Sequence, residues 1–190
     1  MDKKWRNMMS LIKEARRYAE HAHSGQMRKL SDTPYIVHPI NVGNILEKAG
    51  FNEEVIAAAY LHDAVEDTSV TLEEIVQRFG LEVAGIVEAH TENKSKSWEE
   101  RKQHTIQIVK TGSLEVKSLI VADKLDNLRS LKESYDQQGD TIWNSFKRGF
   151  EKQKWYYESI SKYAAKGLEP SQIPSFFYTY KQEVNDFFRS

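Results

Sequence analysis

Residues 53–67, EEVIAAAYLHDAVED, constrain this chain more than any other stretch. After two opening acids the segment is apolar on most sides, and it ends in a cluster of ionisable residues, His62, Asp63, Glu66 and Asp67. A helix that is apolar nearly all round belongs in the middle of a bundle. The fold therefore carries that charge into its interior, and whatever packs around the helix has to accommodate it.

The rest of the sequence supplies helical neighbours. Apolar residues recur at helical spacing, as in Val42, Ile45, Leu46 and Ala49, and no stretch of several residues alternates in the manner of a strand. Pro39 suits the first turn of a helix whose end is marked by Gly50, and Asn52 suits the cap of the central helix, which is expected to run unbroken through Asp67. Thr71 with Glu74 predicts a capping box opening TLEEIVQRF, a short helix closed by Gly80. Further helices are expected over 81–92, 98–111 and 114–131. Beyond Gly139 the chain turns aromatic. Trp143, Phe146, Phe150, Trp155, Tyr156 and Tyr157 are expected on one long helix, followed by a linker, LEPSQIP, and a terminal FFYTYKQEVNDFF. Such a stripe reads as core or subunit interface, which leaves a homo-oligomer open. The expectation is an all-α helical bundle, one domain over residues 1–190.

Charge and composition narrow the function. Lys plus Arg number 27 against 28 Asp plus Glu, so no global positive field gathers a nucleic acid polymer or an anionic membrane. The opening MDKKWRNMMSLIKEARRYAE is charged throughout, and the longest apolar run, residues 55–61, is far too short to span a bilayer. Neither export nor membrane insertion is expected, and cytoplasmic residence is. The absence of cysteine leaves imidazole and carboxylate as the groups able to hold a metal.

On a helix turning ~100° per residue, the four ionisable members of HDAVED fall within an arc of ~140°. Three carboxylates beside one imidazole at the end of an apolar helix repel one another and lose solvation unless a cation lies between them. His38, just before Pro39, and Asp123, within an apolar helix, are further polar groups where packing alone favours apolar ones. Singly each has an ordinary account: His38 as a loop residue, Asp67 with Thr68 as a turn, Asp123 as an ion pair with Lys124 and Arg129. Together, two nitrogens and two carboxylates suit Mn, Fe, Co or Zn with positions open to water and substrate. His21, His23, His90 and His104 show no such convergence in the sequence and are expected to be surface or core residues.

The segments HSGQMRK, PYIVHP, HDAVEDT, FG and VADKLDNLRSL follow in the order and spacing of the hydrolase domain of RelA/SpoT proteins. The overall length is similar to that of the small stand-alone alarmone hydrolases. The resemblance covers Trp5 to Leu131, with a weaker likeness to about Gly167. It implies an α-helical HD-domain fold, manganese as the metal, and hydrolysis of the 3′-pyrophosphate of ppGpp or pppGpp to GDP or GTP and pyrophosphate. By the same carry-over His38, His62, Asp63 and Asp123 match the metal ligands, Glu66 and Asp67 the acidic pair that orients and activates water, and Arg28, Lys29 and Asn127 the nucleotide contacts. No synthetase segment follows in this sequence, so a hydrolase alone is expected.

Two features depart from the long-form pattern. RKLSDTPY stands where Lys-Ser-Gly-Glu-Pro commonly follows the Arg, in a loop that faces the base in the family, and Asp126 stands where His or Tyr is common. An adenosine alarmone or the 2′-phosphate of NADPH is accordingly the alternative substrate. A nucleotide-binding regulator with a degenerate site is a third reading, which the complete set of ligands and acids disfavours.

Overall fold

Side-chain caps set where most of the helices begin. The Oδ1 of Asn52 accepts from the N–H of Val55 at 3.1 Å. Thr71 and Glu74 form both bonds of the predicted capping box, at 3.2 and 3.0 Å, and Ser97 with Glu100 repeats the motif. The structure, a computed structural model, describes residues 10–189. Residues 1–9, which include Trp5 and the start of the charged opening, and residue 190 lie outside the described residues.

The described helices are α1 (Leu11–Ala22), α2 (Val37–Lys48), α3 (Glu53–Leu61), α4 (Ala64–Asp67), α5 (Leu72–His90), α6 (Trp98–Thr111), α7 (Leu114–Gln138), α8 (Gly149–Tyr163) and α9 (Ser175–Phe188). Two 3-10 helices, Gly139–Ser145 and Pro170–Gln172, join the last three. No strand occurs among the described residues, and a single bridge pairs Met27 with Pro34. The fold is all-α. No described helix is long and apolar enough to cross a membrane.

The chain divides into two units, one formed by residues up to Arg28 with Asp32–Glu92, the other by Lys29–Ser31 with the residues from Asn93 onward. In the first, α3 is the central element and packs against α1, α2 and α5. Every residue from Val55 to Leu61 is buried, and each such Val, Ile or Leu contributes about 1.5–3 kcal/mol on leaving water. The approach of α2 to α3 depends on Gly43, where an added Cβ meets the Tyr60 ring at 3.0 Å.

Two expectations about element boundaries are corrected. The central helix does not run through Asp67: it stops at Leu61, and His62 and Asp63 form a turn before α4. The aromatic segment is not one helix either. Trp143 lies in the 3-10 turn, Phe146 follows it with extended backbone, and α8 begins at Gly149. Gly80 does break its helix as expected, with φ 89° and ψ 173° inside α5, a region open essentially to glycine alone.

In the second unit α9 packs on α7 and α8, and α6 packs on both as well. Tyr156, Tyr157, Ile160, Tyr180 and Phe188 are buried there. The Tyr180 hydroxyl donates to the Tyr157 carbonyl at 3.2 Å, which satisfies a buried polar group. Of the aromatic stripe, Tyr156 and Tyr157 are core, while Trp143, Phe146, Phe150 and Trp155 are part-exposed.

Candidate metal centre

His38 and His62 reach the same point from different elements. Pro39 fixes the backbone in the first turn of α2 and leaves His38, 1% exposed, facing inward from the preceding position. His62 is fully buried in the turn after α3. Its Nδ1 lies 2.7 Å from the Ala59 carbonyl. A carbonyl can only accept, so Nδ1 carries a proton, and Nε2 is the ring atom left to ligate a cation. That Nε2 is 3.2 Å from Nε2 of His38 and 3.0 Å from Oδ2 of Asp63. The same Asp63 oxygen is 3.7 Å from Nε2 of His38.

Two buried imidazole nitrogens and a part-buried carboxylate oxygen thus converge on one point, and that is the test of whether a divalent cation fits. Without a cation these atoms need a proton between them, and a divalent ion that displaces the proton turns each into a ligand. Nitrogen and oxygen donors without sulfur suit a borderline or hard first-row divalent metal.

Asp63 is also held by Tyr35. The Tyr35 hydroxyl donates to Oδ2 at 2.5 Å, and the Tyr35 ring lies against His23 with centroids 4.9 Å apart. Nδ1 of His23 bonds Oε1 of Gln26 at 2.8 Å, and Nε2 of Gln26 donates to the Asp67 carbonyl at 3.0 Å. His90, at the end of α5, sets its ring edge-on to His62 at 4.7 Å. His23 is a core residue, as one of the two expected placements had it, and His90 is half-buried. Both belong to the packing around the cluster. The available signals were the i, i+3 spacings of His23 with Gln26 and of Tyr35 with His38, which place each pair on one turn.

Glu66 and Asp67 occupy α4, just past the cluster. Oε2 of Glu66 accepts from the N–H of Glu92 at 3.1 Å. Burial pushes the Glu66 carboxyl above the ordinary carboxylate range. The Glu92 N–H opposes this, while the charges of Glu92, Asp63 and Asp67 add to it. The Asp67 side chain is exposed, but its backbone N–H donates to the Asp63 carbonyl at 2.9 Å. Arg28 sets its guanidinium 5.8 Å from the Tyr35 ring centre, and its N–H donates to the Thr33 carbonyl at 2.9 Å, closing the RKLSDTP loop.

Asp123, Asn127 and Lys29 belong to the second unit. Asp123, 2% exposed on α7, pairs through Oδ2 with Lys124 at 2.7 Å and accepts from the Asn127 side-chain amide, one turn on, through Oδ1. Burial works against the Lys124 charge, but the Asp123 carboxylate outweighs it and holds the ammonium well above its usual range. Of the ion pair expected as the ordinary account of Asp123, the Lys124 half is present, whereas Arg129 pairs with Glu183 at 2.8 Å. Asp126 is buried. Lys29 donates to the Ser145 carbonyl at 2.8 Å, with its Nζ 4.7 Å from the Phe146 ring centre.

The profile of the HD domain family matches residues 15–148. The chain belongs to the HD domain family. Within it, the chain is 43% identical over 122 residues to the guanosine-3′,5′-bis(diphosphate) 3′-pyrophosphohydrolase MESH1 of Drosophila melanogaster, covering 63% of this chain and 68% of that protein. It is 44% identical over 126 residues to the Xenopus tropicalis MESH1, covering 65% and 70%. Among solved structures, lmo0812 of Listeria monocytogenes EGD-e superposes with a TM-score of 0.77 at 54% identity, covering 83% of this chain and 97% of that one. A metazoan ortholog of SpoT that hydrolyzes ppGpp superposes with a TM-score of 0.74 at 29% identity, covering 94% and 96%. An HD hydrolase implies a divalent metal, and the two imidazoles and one carboxylate of the first unit are suited to bind one.

Proposed function

We propose that this HD hydrolase removes the 3′-pyrophosphate of ppGpp and pppGpp, giving GDP or GTP and pyrophosphate, at Mn²⁺ bound by His38, His62, Asp63 and Asp123. The observation that carries the metal reading is the convergence of three potential ligand atoms, Nε2 of His38, Nε2 of His62 and Oδ2 of Asp63, within 3.7 Å of one another. The substrate follows the relatives named guanosine-3′,5′-bis(diphosphate) 3′-pyrophosphohydrolase. The placing of Asp123 as the fourth ligand rests on the resemblance of VADKLDNLRSL to the family's downstream motif.

A bound divalent cation supplies Lewis acidity, which polarises a phosphoryl oxygen and makes water a better nucleophile. The protein side chains manage the protons and the charge. Glu66, whose carboxyl burial raises, takes a proton from the attacking water. Asp67 orients that water. Attack at the phosphorus attached to the 3′ oxygen breaks the P–O bond on the nucleoside side. The 3′ oxygen leaves with a proton and pyrophosphate departs intact. Arg28 and Lys29 offset phosphate charge and Asn127 contacts the nucleotide. The partner is a small nucleotide rather than a nucleic acid polymer, in keeping with a formal net charge of −1. The two units act as one hydrolase domain, since the family match draws on both, and the protein works in the cytoplasm.

The test is chromatography of products after incubation of ppGpp, pppGpp, an adenosine alarmone and NADPH with enzyme and Mn²⁺. GDP, GTP and intact pyrophosphate are expected. Rapid loss of the NADPH phosphate with ppGpp untouched moves the substrate to the alternative. No turnover of any of the four makes the chain a binding module.

A further inference from the structure

We propose that Tyr35 is a positioning residue for Asp63, and that its hydroxyl sets how tightly the imidazole–carboxylate cluster takes a divalent cation. This rests on the metal reading above. Asp63 lies at the break between α3 and α4, and a carboxylate rotates about a broad, roughly two-fold torsion. Its own backbone therefore leaves undecided which oxygen faces the imidazoles. The Tyr35 hydroxyl decides it by donating at 2.5 Å to Oδ2, the oxygen 3.0 Å from Nε2 of His62 and 3.7 Å from Nε2 of His38. A bond of this length to an ionised acceptor is of the strong, charge-assisted kind. A carboxylate oxygen has two lone pairs, so one receives the hydroxyl while the other stays directed at the cluster.

The phenol is itself braced. Its backbone N–H donates to the Gln26 carbonyl at 2.9 Å, and its ring lies between His23, at 4.9 Å, and the edge of His38, at 6.0 Å. His23 is 2% exposed. The Gln26 amide that bonds His23 is oriented at its other end by the Asp67 carbonyl. A continuous run of contacts thus leads from residues 23–26 through Tyr35 to the carboxylate. Loss of a hydrogen bond that orients a ligand in this way weakens metal binding by about 10- to 100-fold.

The experiment compares wild type, Tyr35→Phe and Tyr35→Leu, titrated as metal-free proteins with Mn²⁺ while the free ion is counted by electron paramagnetic resonance. Thermal melts without metal accompany the titration. Tyr35→Phe keeps the ring and loses only the hydroxyl. The expected result is Mn²⁺ affinity about 10- to 100-fold weaker in Tyr35→Phe, with its metal-free melting temperature close to wild type. If Tyr35→Phe binds Mn²⁺ as tightly as wild type while Tyr35→Leu loses affinity and melts lower, Tyr35 is packing only and the proposal is overturned. Equal affinity in all three overturns it as well. Absence of Mn²⁺ binding by wild type itself overturns the metal reading, an outcome distinct from either.

Discussion

The Nδ1–H of His62 donates to the Ala59 carbonyl, three residues back, at 2.7 Å, so Nε2 is the nitrogen this imidazole turns toward His38 and Asp63. The arrangement is prepared for a cation by the helix that carries it. One divalent ion per chain is expected from elemental analysis of wild type, and none from Asp63→Ala. Mn²⁺ at about 100 times its Kd should stabilise wild type by about 2.7 kcal/mol and leave the melting of Asp63→Ala unmoved. Equal metal content in the two proteins sinks the assignment of Asp63.

Glu66→Gln should retain metal and lose turnover by about 10²- to 10⁴-fold, the range for a positioned acid–base group. Wild-type turnover in that variant, with metal bound, returns Glu66 to a structural role.

The same substitution has a stability signature of defined sign. The folded-state pKa of Glu66 lies above its unfolded value, so its contribution is intact below the ordinary carboxylate range and is lost as pH rises through the raised pKa. Metal-free Glu66→Gln should therefore melt above wild type near neutral pH, with the gap closing as pH falls into the carboxylate range. A gap of the opposite sign, or one independent of pH, removes the burial argument.

Gly80→Ala places a Cβ on backbone at φ 89° and ψ 173°, which costs about 1–3 kcal/mol. Denaturant titration should show the loss in midpoint, while kcat per folded molecule stays at the wild-type value.

Lys29 is engaged by the Ser145 carbonyl and the Phe146 ring. If it also meets substrate phosphate, Lys29→Met raises KM for ppGpp more than it lowers kcat. Steady-state kinetics beside thermal melts separate this from simple loss of the bond to Ser145, which moves only the melting temperature.

The helices were legible because their signals are local. Asn52, Thr71 and Glu74 are caps within four residues of what they cap, and Gly80 breaks its helix through its own φ. The turn at His62 and Asp63 was not, because nothing in EEVIAAAYLHDAVED interrupts the helical pattern; no Gly, Pro or capping Ser marks the break. The aromatic run after Gly139 misled for a related reason, since ring spacing is compatible with a helix while the chain instead forms a 3-10 turn that buries Ile142. At the site, residues joined by short spacing or a familiar motif were found, and those joined through space were missed. Tyr35 meets Asp63 across 28 positions and His90 meets His62 across 28, distances over which periodicity carries no information.

The contact between Gly43 and Tyr60 ties substitutions at the two positions together. With the ring carbon Cζ 3.0 Å from where a Cβ at residue 43 would sit, alanine at 43 requires the Tyr60 ring or α2 to give by a few tenths of an ångström. A shorter residue at 60 removes that requirement but leaves a void beside α3, the helix that delivers His62. Residues 43 and 60 are therefore coupled, and a change at either is felt by the helices that carry His38 and His62.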